Sequence, residues 1–154
     1  MTPYRSARVL IVARQTADSP ELIEAVARRA GQGPCNFTLL VPSSPHVVVN
    51  SVFYRQHRDF DAERRIATAV PLLTRAARSE VVAVLGAAEP VTAARDALKL
   101  MGFDEVIVST LPPGLSRWLA LGLPGKIRAL GVPVSEVVSA EAPGPRVSAA
   151  RAAQ

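Results

Sequence analysis

The sequence predicts a single three-layer α/β sandwich, a parallel sheet with helices on both faces, from three observations. Short continuous apolar runs bounded by charge or turn residues recur five times, stretches with apolar residues at helical spacing lie between them, and the two kinds of segment alternate along the chain. A strand buried on both faces reads as such a run, and strands joined by helices imply right-handed crossovers into a parallel sheet. A chain of 154 residues has room for one core and calls for no second domain.

The elements follow in order. Residues 8–13, RVLIVA, form the first strand. Ser19-Pro20-Glu21 then supplies an N-cap hydroxyl, a proline in the first turn and an acid there, and Leu22, Val26 and Ala30 follow at helical spacing up to Gly31. The first helix is therefore expected at 20–30. Residues 36–41, NFTLLV, make the second strand. Ile66, Val70, Leu73 and Ala77 stripe a second helix starting near Asp59 or Asp61, which Pro71 is expected to kink or split.

Residues 81–85 make the third strand, and Val91, Ala94, Leu98 and Met101 stripe a third helix opened by Pro90 and closed by Gly102. Residues 105–109 form the fourth strand, a last helix is expected near 124–130, and residues 132–138 form the fifth strand. Pro133 lacks a donor, which places that strand at an edge. Val132, Val134, Val137 and Val138 on an edge are an aggregation hazard unless a second chain covers them, so they are the candidate homodimer interface. From about Ala140 the chain is Ala, Pro, Gly and Arg without periodicity, and 140–154 is expected to be a loose tail. The segment 47–54, VVVNSVFY, is too apolar for an exposed loop and is expected to pack over the sheet's C-terminal edge or on a second subunit.

Composition excludes several functional classes. Hydrophobic residues at 49% against 20% charged exclude a disordered chain. No apolar run nears the roughly 18–20 residues of a membrane span, and Val9 to Ala13 is too short for a signal peptide's apolar region, so a soluble cytoplasmic protein is expected. The net charge of +5 is dispersed, without the basic run or aromatic interleaving of strand binding, and argues against nucleic acid as a partner. Cys35 stands alone and supports neither a disulfide nor a zinc site. His46 and His57 lack metal-ligand spacing.

Catalytic motifs fail when tested one by one. Gly31-Gln32-Gly33 precedes a strand rather than following one, the reverse of a dinucleotide loop. Gly122-Leu123-Pro124-Gly125-Lys126-Ile127 looks like the end of a P-loop, but Ala120 stands at its first glycine and Ile127 at its magnesium-binding hydroxyl. Ser116 lacks the Gly-x-Ser-x-Gly elbow of a nucleophile. One stretch does have a pattern: between Glu105 and Glu136 there is no acid, whereas Arg117, Lys126 and Arg128 occur there around a Gly/Pro-punctuated loop leading into a helix. Cations beside a helix N-terminus suit an anion. The alternative is a linker with Trp118 and Leu119 packed on the sheet.

This order of strands and helices resembles the universal stress protein family over about residues 7–139. The residues that carry the likeness are 104–119, from Asp104-Glu105-Val106-Ile107-Val108-Ser109 through Gly114-Leu115-Ser116-Arg117-Trp118-Leu119, then Gly122, and Gly131-Val132-Pro133-Val134. The resemblance implies a five-stranded parallel sheet of order 3-2-1-4-5, a cytoplasmic stress-related protein, homodimerisation through the last strand, and a ligand where strands one and four diverge. Ala13 and Arg14 after strand one, Val41 at the end of strand two, and Ser109, Thr110, Gly114, Gly122, Leu123 and Lys126 from the strand-four loop are then the candidate ligand-binding residues.

The family's nucleotide loop reads glycine, two residues, glycine, nine residues, glycine, then serine or threonine. Here the matching positions are Ser109, Pro112, Gly122 and Leu123. Pro112 removes an N–H and bars close approach, and Leu123 has no hydroxyl for a phosphate. Where ATP-binding members carry an aspartate, this chain has Arg14, which donates and cannot accept. The resemblance therefore implies a non-catalytic binding module with a degenerate pocket for ATP, AMP or a phosphate-like anion and without a metal site, and with Arg14 and Lys126 near it and no acid in the strand-four loop the crevice is expected to be electropositive. The alternative is a true ATP-binding member acting as a nucleotide-gated switch with slow or no hydrolysis.

Overall fold

The structure is a computed structural model and describes residues 6–44 and 59–140. The apolar segment 47–54, His46, His57 and the tail from 141 onward lie outside the described residues. Strands β1 (Ala7–Val12), β2 (Cys35–Pro42), β3 (Val82–Gly86), β4 (Glu105–Thr110) and β5 (Val134–Val138) form one sheet, parallel throughout, in the order β3-β2-β1-β4-β5. Helices α1 (Pro20–Ala30) and α2 (Phe60–Ala77) pack on one face, and α3 (Pro90–Met101), with the short α4 (Arg117–Ala120) and α5 (Leu123–Arg128), on the other.

The two cores are the two sides of the same strands. Val9, Ile11 and Ala13 point into the cluster with Leu22, Val26 and Leu73, while Leu10 and Val12 alternate into the cluster with Ala94, Val108, Leu123 and Ile127. Residues 9–13 are fully buried because β1 is the central strand with a helical layer on each side. The outer strand β3 instead leaves Val82 and Leu85 about half exposed, at 53% and 44%.

Local signals explain most boundaries. Ser19 caps α1 by accepting from Leu22 N at 3.2 Å, with Pro20 and Glu21 in the first turn. Glu89 caps α3, accepting from Thr92 N at 2.7 Å and Val91 N at 3.1 Å, and Gly102 ends it at φ 73°. Asp59 caps α2, accepting from Ala62 N at 3.1 Å.

The structure adds detail to four expectations. Of the kink or split expected at Pro71, the split does not occur: the proline lies on the exposed face of one continuous helix, where water can serve the Ala67 carbonyl that it leaves without its helical donor. The last helix, α5, lies where it was expected, and the loop before it holds an additional short helix, α4, which Ser116 caps and Gly122 at φ 73° separates from α5. Strand five begins at Val134, and Val132 is 9% exposed in this chain's own core, so it is not available to an edge-strand interface. Val134 and Val137 are half-buried against opposite cores, which leaves Val138, at 39%, as the exposed valine of the four. Finally, Ala140, the first residue of the expected tail, donates its N–H to Glu21 Oε2 at 3.0 Å, and the remainder of that tail lies outside the described residues.

Gly86 ends β3 beneath the start of α3, and a Cβ there would lie 2.7 Å from Leu40 Cδ1 and 2.8 Å from the Ala93 Cβ. Leu40 can rotate away, but Ala93 sits on the helix backbone. Gly86→Ala is therefore expected to lose about 1–3 kcal/mol of stability by overpacking, read as a lowered urea midpoint at unchanged slope.

Candidate functional site

The site follows from where β1 and β4 part. Their pairing ends at Val12↔Val108, after which Ala13 N still donates to Leu40 O at 3.2 Å, on the β2 side, while Ser109 and Thr110 continue alongside Val137 and Val138 of β5. The chain leaves β1 toward α1 on one face and leaves β4 toward α4 and α5 on the other, so a crevice opens between the two strand ends. It is a cleft of about 250 Å³ lined by Arg14, Gln15 and Thr16 from the end of β1 and by Ser109, Thr110, Leu111, Leu115, Ser116, Arg117 and Trp118 from the β4 side.

Arg14 is the central side chain. Its guanidinium stands 5.5 Å from the Trp118 ring centroid, a cation–π contact, and its Nη2 donates to Ala88 O at 3.3 Å. Burial lowers its proton affinity, as does repulsion from Arg65, and both outweigh the attraction of Asp59 and Asp61. Among the described residues no acid lines the cleft, and α2 brings two carboxylates within electrostatic reach of Arg14.

Hydroxyls form the opposite wall. Thr16 Oγ1 and Ser109 Oγ share a buried hydrogen bond of 2.5 Å that bridges the parted strand ends. Ser116 Oγ accepts from Leu119 N at 3.0 Å, so this serine is a helix cap. Two buried polar atoms of lining residues, Arg14 Nε and Thr110 Oγ1, have no hydrogen-bond partner among the described residues. Leaving such an atom unpaired costs roughly 1–3 kcal/mol, more for a charged group.

Of the sequence-derived candidates, Arg14, Ser109 and Thr110 line the cleft together. The others do not. Ala13 and Val41 are fully buried in the α1/α2 core, and Leu123 is 1% exposed in the other core. Gly114 and Gly122 take positive φ, at 92° and 73°, as turn residues outside the lining. Lys126 borders a separate small recess with Glu89, Leu121 and the far side of Trp118. At the start of the last helix, where the sequence suggests an anion, Gly122 takes φ 73° without a side-chain cap, and the nearby cations Lys126 and Arg128 stand in the last turn of the six-residue α5. Gln15 and Thr16 were missed: a turn after a strand has no periodicity to mark which side chains face inward.

No family model matches the chain, and no curated protein matches it in sequence. Solved structures match in fold. A universal stress protein from Archaeoglobus fulgidus aligns with a TM-score of 0.59 at 11% identity, over 85% of this chain and 93% of that one. A universal stress protein solved in complex with cAMP aligns with a TM-score of 0.51 at 13% identity, over 86% of this chain and 95% of that one. The chain has the α/β fold of the universal stress proteins, with the sheet order that the sequence resemblance implied.

Asp59 ties the base of α2 to the end of β2 beside this site, accepting from Ser44 N at 2.6 Å and Ser44 Oγ at 2.7 Å as well as from Ala62 N. Burial pushes its carboxyl up, but the Ser44 and Ala62 donors and the Arg14 charge together hold it below its ordinary value. A carboxyl whose pKa is depressed by folding contributes stability above its unfolded value near 3.9, and that stability is lost as pH falls through the folded value. Wild type should therefore lose stability below about pH 4 that Asp59→Asn lacks at every pH, so the two urea midpoints should converge in acid.

Proposed function

We propose that this protein is a non-catalytic module of the universal stress protein type, working in the cytoplasm in a stress-related binding role, with the cleft at the ends of β1 and β4 as its pocket for a nucleotide or smaller anion. The observation that carries this reading is the side chain of Arg14: a desolvated cation, fixed between Trp118 and the Ala88 carbonyl at the switch point of the sheet, with Nε unpaired. A cation so placed is a receptor for negative charge, because an anion there meets a donor whose orientation is already set. The cAMP bound to a protein of the same fold supports a ligand that carries phosphate. Against hydrolysis stands the lining itself, which offers no carboxylate to hold magnesium or serve as a base.

The reading includes a homodimer through β5, whose outer edge leaves Val138 exposed. Sedimentation is expected to give a dimer at micromolar concentration that Val138→Lys converts to monomer. A wild type that is monomeric throughout would remove this part of the reading.

Small molecules released on denaturing the purified protein, identified by mass spectrometry, test the ligand. A phosphate-bearing compound is expected, in wild type and not in Arg14→Ala, together with no release of phosphate from ATP above the buffer rate. Turnover of ATP that Arg14→Ala leaves intact would overturn the non-catalytic reading.

A further inference from the structure

The sheet has two edges, β3 and β5, and they differ in what lies along them. Ser43 N and Ser43 Oγ both donate to Gly86 O, at 3.0 and 2.7 Å, so Gly86 turns its carbonyl toward β2, and Val84 and Val82 share that direction. Ala83 and Leu85 therefore hold their N–H and C=O out at the free edge, where no described residue bonds them. The outward N–H before them, that of Val81, is taken by Thr74 Oγ1 at 3.2 Å. On the other edge Arg128 Nη2 donates to the Val134 carbonyl at 3.4 Å and to Glu136 Oε2 at 2.9 Å, so a charge pair lies along β5. The strand Val82–Gly86 carries neither charge nor proline, and its Val82 and Leu85 are about half exposed.

We propose that β3 is a self-pairing edge, through which two copies of this chain add their β3 strands antiparallel about a two-fold axis and join two five-stranded sheets into one. This goes beyond the proposed homodimer through β5 and does not depend on it. The strand is complementary to its own reverse. With Val84 on the axis, Ala83 and Leu85 of one copy exchange hydrogen bonds with Leu85 and Ala83 of the other, which satisfies all their outward groups. On the α2 face that register sets each Leu85 against the small Ala83, and on the α3 face each Val82 against Gly86, which has no side chain. Charge agrees with it. Antiparallel pairing brings the chain before β3, with Arg75 and Arg78 against one acid, Glu80, to the chain after it, whose first charge is Glu89.

A strand of 5 residues is far smaller than the roughly 20–30 residues a side of a standard interface, so the pairing is expected at about 0.1–1 mM chain rather than at micromolar concentration. Sedimentation of the full-length Val138→Lys chain, whose β5 edge is blocked, tests it. A monomer at micromolar concentration that becomes a dimer over that higher range is expected, and adding Leu85→Lys should abolish the dimer at unchanged melting temperature. Register is read separately. In a Cys35→Ser chain, Val84→Cys sets two thiols at a non-hydrogen-bonded pair, with Cα atoms about 4.5 Å apart and within disulfide reach. Mild oxidation should link Val84→Cys at least about tenfold faster than Leu100→Cys, which is 83% exposed and more open to random collision. A Val138→Lys chain that stays monomeric over the whole range, or Val84→Cys linking no faster than Leu100→Cys, would overturn the proposal and leave the β3 edge to a strand of another protein. A wild type that is monomeric at micromolar concentration while Val84→Cys links at the expected rate would remove the β5 dimer and uphold pairing through β3.

Discussion

The structure depends on the burial of β1 on both faces. An all-parallel sheet has to be covered on each side, and the strand that carries the two layers is Val9–Ala13, whose alternate side chains enter opposite cores. Its neighbours lock its register, Val12 opposite Leu40 on one side and Val108 on the other. Once that register is set, the residue following Ala13 has nowhere to go but the crevice beyond the sheet. Arg14 is delivered there by the backbone, and its charge is brought in at a cost in solvation that the Ala88 carbonyl and the Trp118 ring offset only in part.

Coverage by helices on opposite faces then creates the functional geometry. Because α1 follows β1 on one face while α4 and α5 follow β4 on the other, neither of these two connections crosses the gap between the strand ends. The gap is bridged by one hydroxyl pair, Thr16 with Ser109, and walled by the Trp118 ring, which α4 holds in place through the Ser116 cap. Each of these is a short polar or aromatic contact placed by an apolar framework. The cleft they bound is small, about 250 Å³.

The departures from the family's nucleotide loop have a consistent structural counterpart. Where glycines would let backbone N–H groups approach a phosphate chain, Pro112 withholds a donor and Leu123 turns its side chain into the α3/α5 core. The loop is thereby used to cap and pack α4 and α5. The cleft is lined instead by side chains, Arg14 among them, nearer the strand ends than the sequence motif suggested.

The sequence by itself determined the strand and helix alternation, the cap at Ser19, the opening proline Pro90, the glycine stop at Gly102 and the outer place of β5, because each depends on residues a few positions apart and on burial patterns of period two or 3.6. It also marked Arg14, Ser109 and Thr110, since the ends of two buried runs border one crevice in any such sheet. Tertiary structure alone decided what those residues meet. Asp59, brought to Arg14 by the packing of α2, is 45 positions away in the chain, and no periodicity records that proximity. The same holds for Val132 joining the core, for Lys126 lying across Trp118 from the cleft, and for the unpaired atoms of Arg14 and Thr110. Pattern specifies which face of an element is apolar; only the packed chain specifies which polar atoms are left without a partner.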